Sequence, residues 1–336
     1  MMLDTATLFN ATLASSSLAA AFELGFMERL ESESTVDLRV FCTDEALNLP
    51  TMQEMSRALA CFDIVSIDET GFIVKPGPGF VQAYRDKGYF LWLVCGYGYA
   101  LQHLARLTRN AARPADSSNR AFVQRDGRYI AMADKDCGAH HVDSVFERFF
   151  VPRPGDIVCD LGCGAAGRLI SLVTQHEGLR AVGVDIDQGA AEIARANVEA
   201  AGLADKIQVV VDDVRSLSER EQFEDVTVLT CFFMGHELWP KDRCVEVFAR
   251  LRRRFPSVER FFLGDTFNSE LVPPCQPPIF TLGFEFLHAV MGQRIPTLTE
   301  WMSAFAASDW ECARQQAIPI PFTTVFDLRP RSARAV

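Results

Sequence analysis

Apolar and polar positions repeat along this chain with two periods, and the change from one to the other divides it. Over residues 4–30, Leu8, Ala11, Thr12, Ser15, Leu18, Ala19, Phe22 and Phe26 recur at spacings of three and four, the stripe of one helix. The stripe is rich in small residues, which permits close packing. Met52–Cys61 predicts a second helix. Ile64-Val65-Ser66-Ile67 and Phe72-Ile73-Val74 then flank Asp68-Glu69-Thr70-Gly71, two short strands joined by a turn with its glycine in place.

From residue 155 strands alternate with helices. Val158-Cys159 runs into D-L-G-C-G-A-A-G at Asp160 to Gly167 and on into the amphipathic segment Arg168 to Gln175. Further strands are expected at Ala181 to Asp187, Ile207 to Val211, Asp225 to Phe233 and Arg260 to Gly264. Helices are expected at Lys241 to Arg254 and Leu298 to Ala307, and two closing strands at 311–318 and 323–329. Such alternation demands a mostly parallel, doubly wound α/β sheet, with ligands beyond the carboxyl ends of its strands. The early helices and their hairpin resemble a winged helix. The expected division is a mainly helical unit over about residues 1–115 and an α/β unit over about 116–336, with an insertion at about 267–296.

Charge and cysteine usage narrow the class. A formal charge of −11 argues against a nucleic-acid partner, which needs a concentrated basic surface. The run Arg250 to Arg254 reads as the solvated end of a helix. Where a DNA-reading recognition helix would carry arginines, Asp44, Glu45 and Glu54 accompany the single Arg57. Ten cysteines without a CxxC pair suit thiols kept reduced in a cytosol. The most apolar run, Phe90 to Leu101, is broken by Gly96 and Gly98, and the N-terminus lacks the pattern of a signal peptide. A cytoplasmic protein without a membrane partner is expected.

The strand, glycine turn and helix at 158–175 make a cofactor site, because glycine lets backbone pass close under a ligand and a helix start presents N–H donors. The spacing of Gly162 and Gly164 alone also suits a dinucleotide. Asp160 shifts the balance, since a carboxylate at the strand end repels a pyrophosphate and can accept from an ammonium group. S-adenosylmethionine is therefore favoured over NAD. Asp185, about 20 residues beyond the glycines, is placed to take ribose hydroxyls. Asp213 follows the third strand, where it can accept from an adenine amino group while Val214 packs on the ring, and Cys231 is counted with these contacts. The series resembles the class I S-adenosylmethionine-dependent methyltransferases over residues 155–266, which implies their Rossmann-like, seven-stranded fold. The N-terminal unit is similar to that of the small-molecule methyltransferases of the plant O-methyltransferase type, which implies a homodimer.

The fourth strand ends in Thr230-Cys231-Phe232-Phe233-Met234-Gly235-His236-Glu237-Leu238-Trp239-Pro240, setting a histidine beside a carboxylate at the pocket edge. His288 lies in the apolar, helix-like run from Phe280 to Gly292. Alone it reads more readily as a satisfied core histidine. Two histidines and a carboxylate are also the ligand set of a facial triad, with open positions on iron or another divalent metal. These motifs, with F-L-G-D at Phe262 to Asp265, I-F-T-L-G-F-E-F-L-H at Ile279 to His288 and Q-R-D at Gln124 to Asp126, resemble the 2-oxo acid C3-methyltransferases. Those enzymes act on phenylpyruvate and on 5-guanidino-2-oxopentanoate in making β-methylated amino acids for natural products. The resemblance runs from residue 8 to residue 328. It implies that His236, Glu237 and His288 hold an iron or zinc ion and that Arg125 grips the substrate carboxylate. One relative carries aspartate where this chain has Glu237.

The chemistry is coherent by itself. A metal polarises the keto oxygen of a chelated 2-oxo acid, C3 becomes nucleophilic, and it attacks the sulfonium methyl in line while Arg125 clamps the carboxylate as a planar fork. Alternatively Arg125 pairs with Asp126. The aromatics Phe90, Trp92, Tyr97 and Tyr99 line the pocket or belong to the core. Surplus carboxylates favour 5-guanidino-2-oxopentanoate as substrate. One rival is a metal-free O-methyltransferase with His236 as general base and Glu237 orienting it. Another is a silent binding protein on the same fold.

Overall fold

A computed structural model describes residues 4–113, 122–137, 141–272 and 275–331. Two compact units emerge, Met1–Leu107 with Gln124–Cys137, and Thr108–Val123 with Gly138–Val336.

The first unit is mainly helical. The single helix expected over residues 4–30 is two, Thr5–Glu23 and Phe26–Glu33. Gly25 separates them at φ +71°, a left-handed conformation in which glycine is unstrained, so the period continues while the axis does not. Leu18, Phe22, Phe26, Met27 and Leu30 are buried together, whereas Leu8, Phe9 and Leu13 lie more than half exposed. The expected second helix spans Leu49–Ala60, begun three residues early because Asn48 caps Thr51 N–H and Pro50 fits the first turn. Strands β1 (Val36–Asp37), β2 (Val65–Ile67) and β3 (Ile73–Pro76) form an antiparallel sheet in the order β1-β3-β2. Asp68 closes the β2–β3 turn by accepting from Ile73 N–H at 3.0 Å. Trp92 and Tyr97 are core residues packed at 4.8 Å, while Tyr99 stacks on His103 and stays partly exposed.

The second unit holds a seven-stranded sheet. Its strands are β4 (Ile157–Leu161), β5 (Arg180–Asp185), β6 (Ile207–Val211), β7 (Val228–Phe232), β8 (Arg260–Thr266), β9 (Trp310–Ala317) and β10 (Thr323–Pro330), in the order β6-β5-β4-β7-β8-β10-β9. β4 to β8 pair in parallel, and β10 runs antiparallel to both β8 and β9. All residues of β4, β7 and β8 are buried, as in a parallel sheet covered on both faces, and most of them are apolar; Asp160, Thr230, Arg260, Asp265 and Thr266 are the buried polar exceptions. Helices Lys241–Arg254 and Leu298–Ala306 pack with the sheet through Phe248, Phe305 and Phe326, and Trp310 Nε1 donates to Phe248 O at 3.1 Å. The chain order reverses at β4, whose neighbours are β5 and β7, and its carboxyl end carries the glycine turn. Among the described residues no helix is long and apolar enough to cross a membrane.

Candidate active site

The turn after β4 is built by backbone geometry and one carboxylate. Gly162 and Gly164 adopt φ of +78° and +51°, where a side chain would strain the chain. Gly162 and Cys163 both donate to Val184 O, at 2.8 and 3.0 Å, which ties the turn to β5. Asp185 accepts from Gly164 N–H through Oδ2 and from Asp187 N–H through Oδ1, each at 2.9 Å. A carboxylate has about four acceptor sites, so these two bonds leave it capacity for hydroxyl donors. Asp160 is buried at 2% exposure and accepts from Thr230 Oγ1 at 2.6 Å, with Arg168 4.0 Å away.

The remaining cofactor candidates divide. Asp213 is held by Arg215, whose Nε and Nη2 reach its two oxygens at 2.9 Å. Burial pushes the Asp213 carboxyl up, but the Arg215 hydrogen bonds and charge outweigh it and hold the group below its ordinary value. Val214 is buried beside it. Cys231 is fully buried in β7, its thiol packed into the core and held well above its ordinary value by burial.

The histidines come together from separate elements. His236 sits on the 3₁₀ turn Gly235–Leu238 directly after β7, and His288 on the helix Thr281–Val290. Their rings meet edge-on with centroids 4.7 Å apart, and Phe284 packs on both, at 5.4 Å from His236 and 4.1 Å from His288. Both imidazoles are 6% exposed or less.

Asp265 supports this pair. Because β7 and β8 pair as Phe232↔Gly264, the next residue of β8 stands beside the turn that carries His236. The Asp265 carboxylate accepts from His236 N–H at 2.6 Å and contacts His236 Nδ1 at 2.9 Å. A Cβ on Gly235 would stand 2.9 Å from that carboxylate and 2.7 Å from Leu263 Cδ1, so only glycine admits the approach. The F-L-G-D motif contains Asp265 but does not by itself disclose this role. Its one signal was an acid closing an apolar strand.

The hydrogen bonds define the tautomers. A carboxylate accepts, so His236 Nδ1 carries a proton; Phe284 O lies 2.7 Å from His288 Nδ1 and likewise only accepts. In the neutral rings Nε2 is therefore the acceptor on both histidines. That state suits either metal ligation or proton abstraction.

The three-ligand set expected from sequence is not assembled. Among the described residues no group of three His, Cys, Asp or Glu side chains is placed to hold a metal ion. Adjacency in sequence misleads here, because a 3₁₀ turn sets neighbouring side chains about 120° apart, and the field of Glu237 acts on Arg215. Arg125 lies exposed in the first unit, ahead of the helix Gly127–Cys137. Its alternative partner Asp126 instead accepts from Arg128, at 2.9 Å from Nη2.

Comparison with known proteins agrees with the turn geometry. Residues 158–255 match the family model described as a methyltransferase domain. Methyltransferase ungE' of Aspergillus campestris (strain IBT 28561) is 34% identical over 334 residues, covering 96% of each chain. The Indolepyruvate C-methyltransferase of Streptomyces griseus is 27% identical over 213 residues, 62% of this chain and 63% of that one. Among solved structures, an O-methyltransferase from neocarzinostatin biosynthesis, in complex with S-adenosylmethionine and 2-hydroxy-5-methyl naphthoic acid, superposes with a TM-score of 0.63 at 16% identity. That match covers 95% of this chain and 96% of the other, and at such identity it shows the fold. With a parallel sheet reversing at a glycine turn, a family match across that turn and a near full-length relative, this chain belongs to the class I S-adenosylmethionine-dependent methyltransferases.

Proposed function

We propose that this enzyme transfers the cofactor methyl group to C3 of an aromatic 2-oxo acid. The observation that carries the reading is the meeting of His236 and His288, each fixed through Nδ1 so that Nε2 is the acceptor. The indolepyruvate enzyme adds support, since its substrate is an aromatic 2-oxo acid. Phe280 and Phe284, 5.0 Å apart in the apolar insertion, offer aromatic faces on which an aromatic side chain can pack. 5-Guanidino-2-oxopentanoate, which the overall charge favours, is the other 2-oxo acid to test, since a guanidinium also stacks on aromatic faces.

The donor chemistry of the pair fits a metal at two positions, both imidazoles having a hydrogen-bond acceptor behind them. Iron or zinc would be held by His236 and His288, with Glu237 the adjacent carboxylate, and would polarise the keto oxygen. The chain's own contribution is positional. Asp265 holds the His236 ring and Phe284 packs on both imidazoles. The bond between C3 and the methyl carbon forms as the methyl–sulfur bond breaks. One proton leaves C3, or has already left in a substrate bound as its enol.

A second reading rests on the Asp265 contact. A histidine backed by a buried carboxylate is also a general base for a hydroxyl proton, which would make an O-methyltransferase. Incubation with a panel of 2-oxo acids and methyl-labelled cofactor, with and without a strong chelator, separates the two. Label on C3, lost with chelation, supports the first; label on oxygen, insensitive to chelation, replaces it with the second. A homodimer is proposed through the exposed Leu8, Phe9 and Leu13 of the first helix.

A further inference from the structure

His236 lines a cavity of about 430 Å³ between the turn after β7 and the chain leaving the Thr281–Val290 helix. Its charge differs from that of the whole protein. The chain carries −11, yet this wall sets Arg215, Lys241, Arg243 and Arg294 against Asp242 and Glu300. Two of the cations are matched, Arg215 by Asp213 and Arg294 by Glu300 at 2.7 Å. The other two donate to neutral oxygens, Lys241 to Ser303 Oγ at 2.7 Å and Arg243 to the carbonyls of Leu238 and Trp239. A recessed wall with surplus positive charge attracts an anion.

Two neutral side chains in the same wall make the site specific. The amide oxygen and nitrogen of Gln293 and the indole Nε1 of Trp239 are buried without a hydrogen-bond partner among the described residues. Buried polar atoms are rarely left so; acceptors on a ligand satisfy the Gln293 and Trp239 N–H donors, whereas Gln293 Oε1 needs a donor from elsewhere. Trp239 Nε1 only donates, and the Gln293 amide has two N–H donors. Each is tied to one of the two histidines, since Gln293 N–H donates to His288 O at 2.8 Å and Trp239 N–H to His236 O at 3.4 Å. N–H donors in a cationic field suit a carboxylate.

We propose that Gln293 and Trp239 receive the carboxylate of the 2-oxo acid beside His236, and so determine which end of the substrate enters first. The inference deepens the proposed function and rests on it. Steady-state kinetics with indolepyruvate and phenylpyruvate, paired with calorimetry of S-adenosylmethionine binding, would test it in Gln293→Leu, Gln293→Glu and Trp239→Phe. Loss of one hydrogen bond to a charged group should raise KM about tenfold in Gln293→Leu. Gln293→Glu, which sets like charge against the carboxylate, should raise it further, to about a hundredfold or more. Trp239→Phe keeps the ring, removes the N–H and should raise KM several-fold, with kcat and cofactor affinity unchanged in all three variants. An unchanged KM, or equal effects of leucine and glutamate, would overturn the inference, the latter by reducing Gln293 to packing. Lost cofactor binding would also overturn it, by assigning Gln293 to the fold. If the wild type methylates neither acid, the proposed function fails and the inference with it; if it turns over while the variants match it, the inference alone fails.

Discussion

The cofactor turn and the histidine pair lie at carboxyl ends of neighbouring strands, yet they are built in opposite ways. The turn is local: Asp160, Gly162 and Gly164 follow one another, and Asp185 stands one strand away, bonded to Gly164 N–H at 2.9 Å. The pair is assembled from three distant segments. His236 comes from the turn after β7, Asp265 from β8 and His288 from a helix inserted beyond it. A contiguous motif carries its own geometry, so it survives in any chain that folds the strand and helix around it. A constellation drawn from separate elements depends on tertiary packing, and changes in it should remove chemistry before they remove cofactor binding.

The sharpest way to break that contrast is His288→Ala. Turnover should fall at least about a thousandfold, metal content should fall with it, and calorimetry should show cofactor binding intact. Full turnover in the presence of a strong chelator would make the second histidine a packing residue and favour His236 as general base. Asp265→Asn comes next. It removes the charge that orients His236 and lets the amide donate to the ring, which disturbs the Nδ1–H tautomer. Loss of such a supporting group typically lowers activity about 10- to 100-fold. The reading of Asp265 as the residue that positions His236 also requires an altered pH profile of kcat; a lower rate with an unchanged profile would point to general loosening of the fold.

How much the sequence disclosed follows the same division. Buried parallel strands read plainly because most of their residues are apolar, and the helix expected at Lys241 to Arg254 spans those residues. The break at Gly25 was missed because two helices can share a stripe when the turn between them keeps the period. Asp265 was visible as a letter but not as a partner, since an acid ending a strand looks the same whether it faces solvent or a histidine. Glu237 is the converse case, a neighbour in sequence that the 3₁₀ turn sets about 120° away from His236. Gln293 left no signal of its own, because an unpaired amide is defined only by what surrounds it, and Trp239 stood in the motif after the fourth strand without a role.

On the cofactor side, Asp185→Ala removes a charge-assisted acceptor and the partner of two backbone donors. Binding of S-adenosylmethionine should weaken by about 1.5–3 kcal/mol, roughly ten- to a hundredfold, while the rate at saturating cofactor changes little. Equal affinity in calorimetry would remove Asp185 from the cofactor site and leave it only the turn to hold.

Asp213→Asn should give the smallest effect, and it sharpens the comparison by asking whether two acids at neighbouring strand ends do the same work. Asp185 holds backbone, whereas Asp213 holds the Arg215 side chain through Nε and Nη2. With both side chains about one-third exposed, solvent screens the pair, and its loss should cost no more than about 1 kcal/mol. The sign with pH follows from the direction of the shift. The folded Asp213 carboxyl lies below its ordinary value, so its contribution is complete above the unfolded value, about 3.9, and fades as pH falls through the folded one. Melting temperatures of wild type and Asp213→Asn should therefore differ slightly at pH 7 and converge as pH falls through the folded value. A gap that persisted in acid would mean that asparagine disturbs the chain at Val214 and not the ion pair. Cofactor affinity in the same variant should fall less than in Asp185→Ala, because an asparagine oxygen still accepts; a larger fall would make Asp213 the dominant acidic contact and reverse the order assigned to the two strand ends.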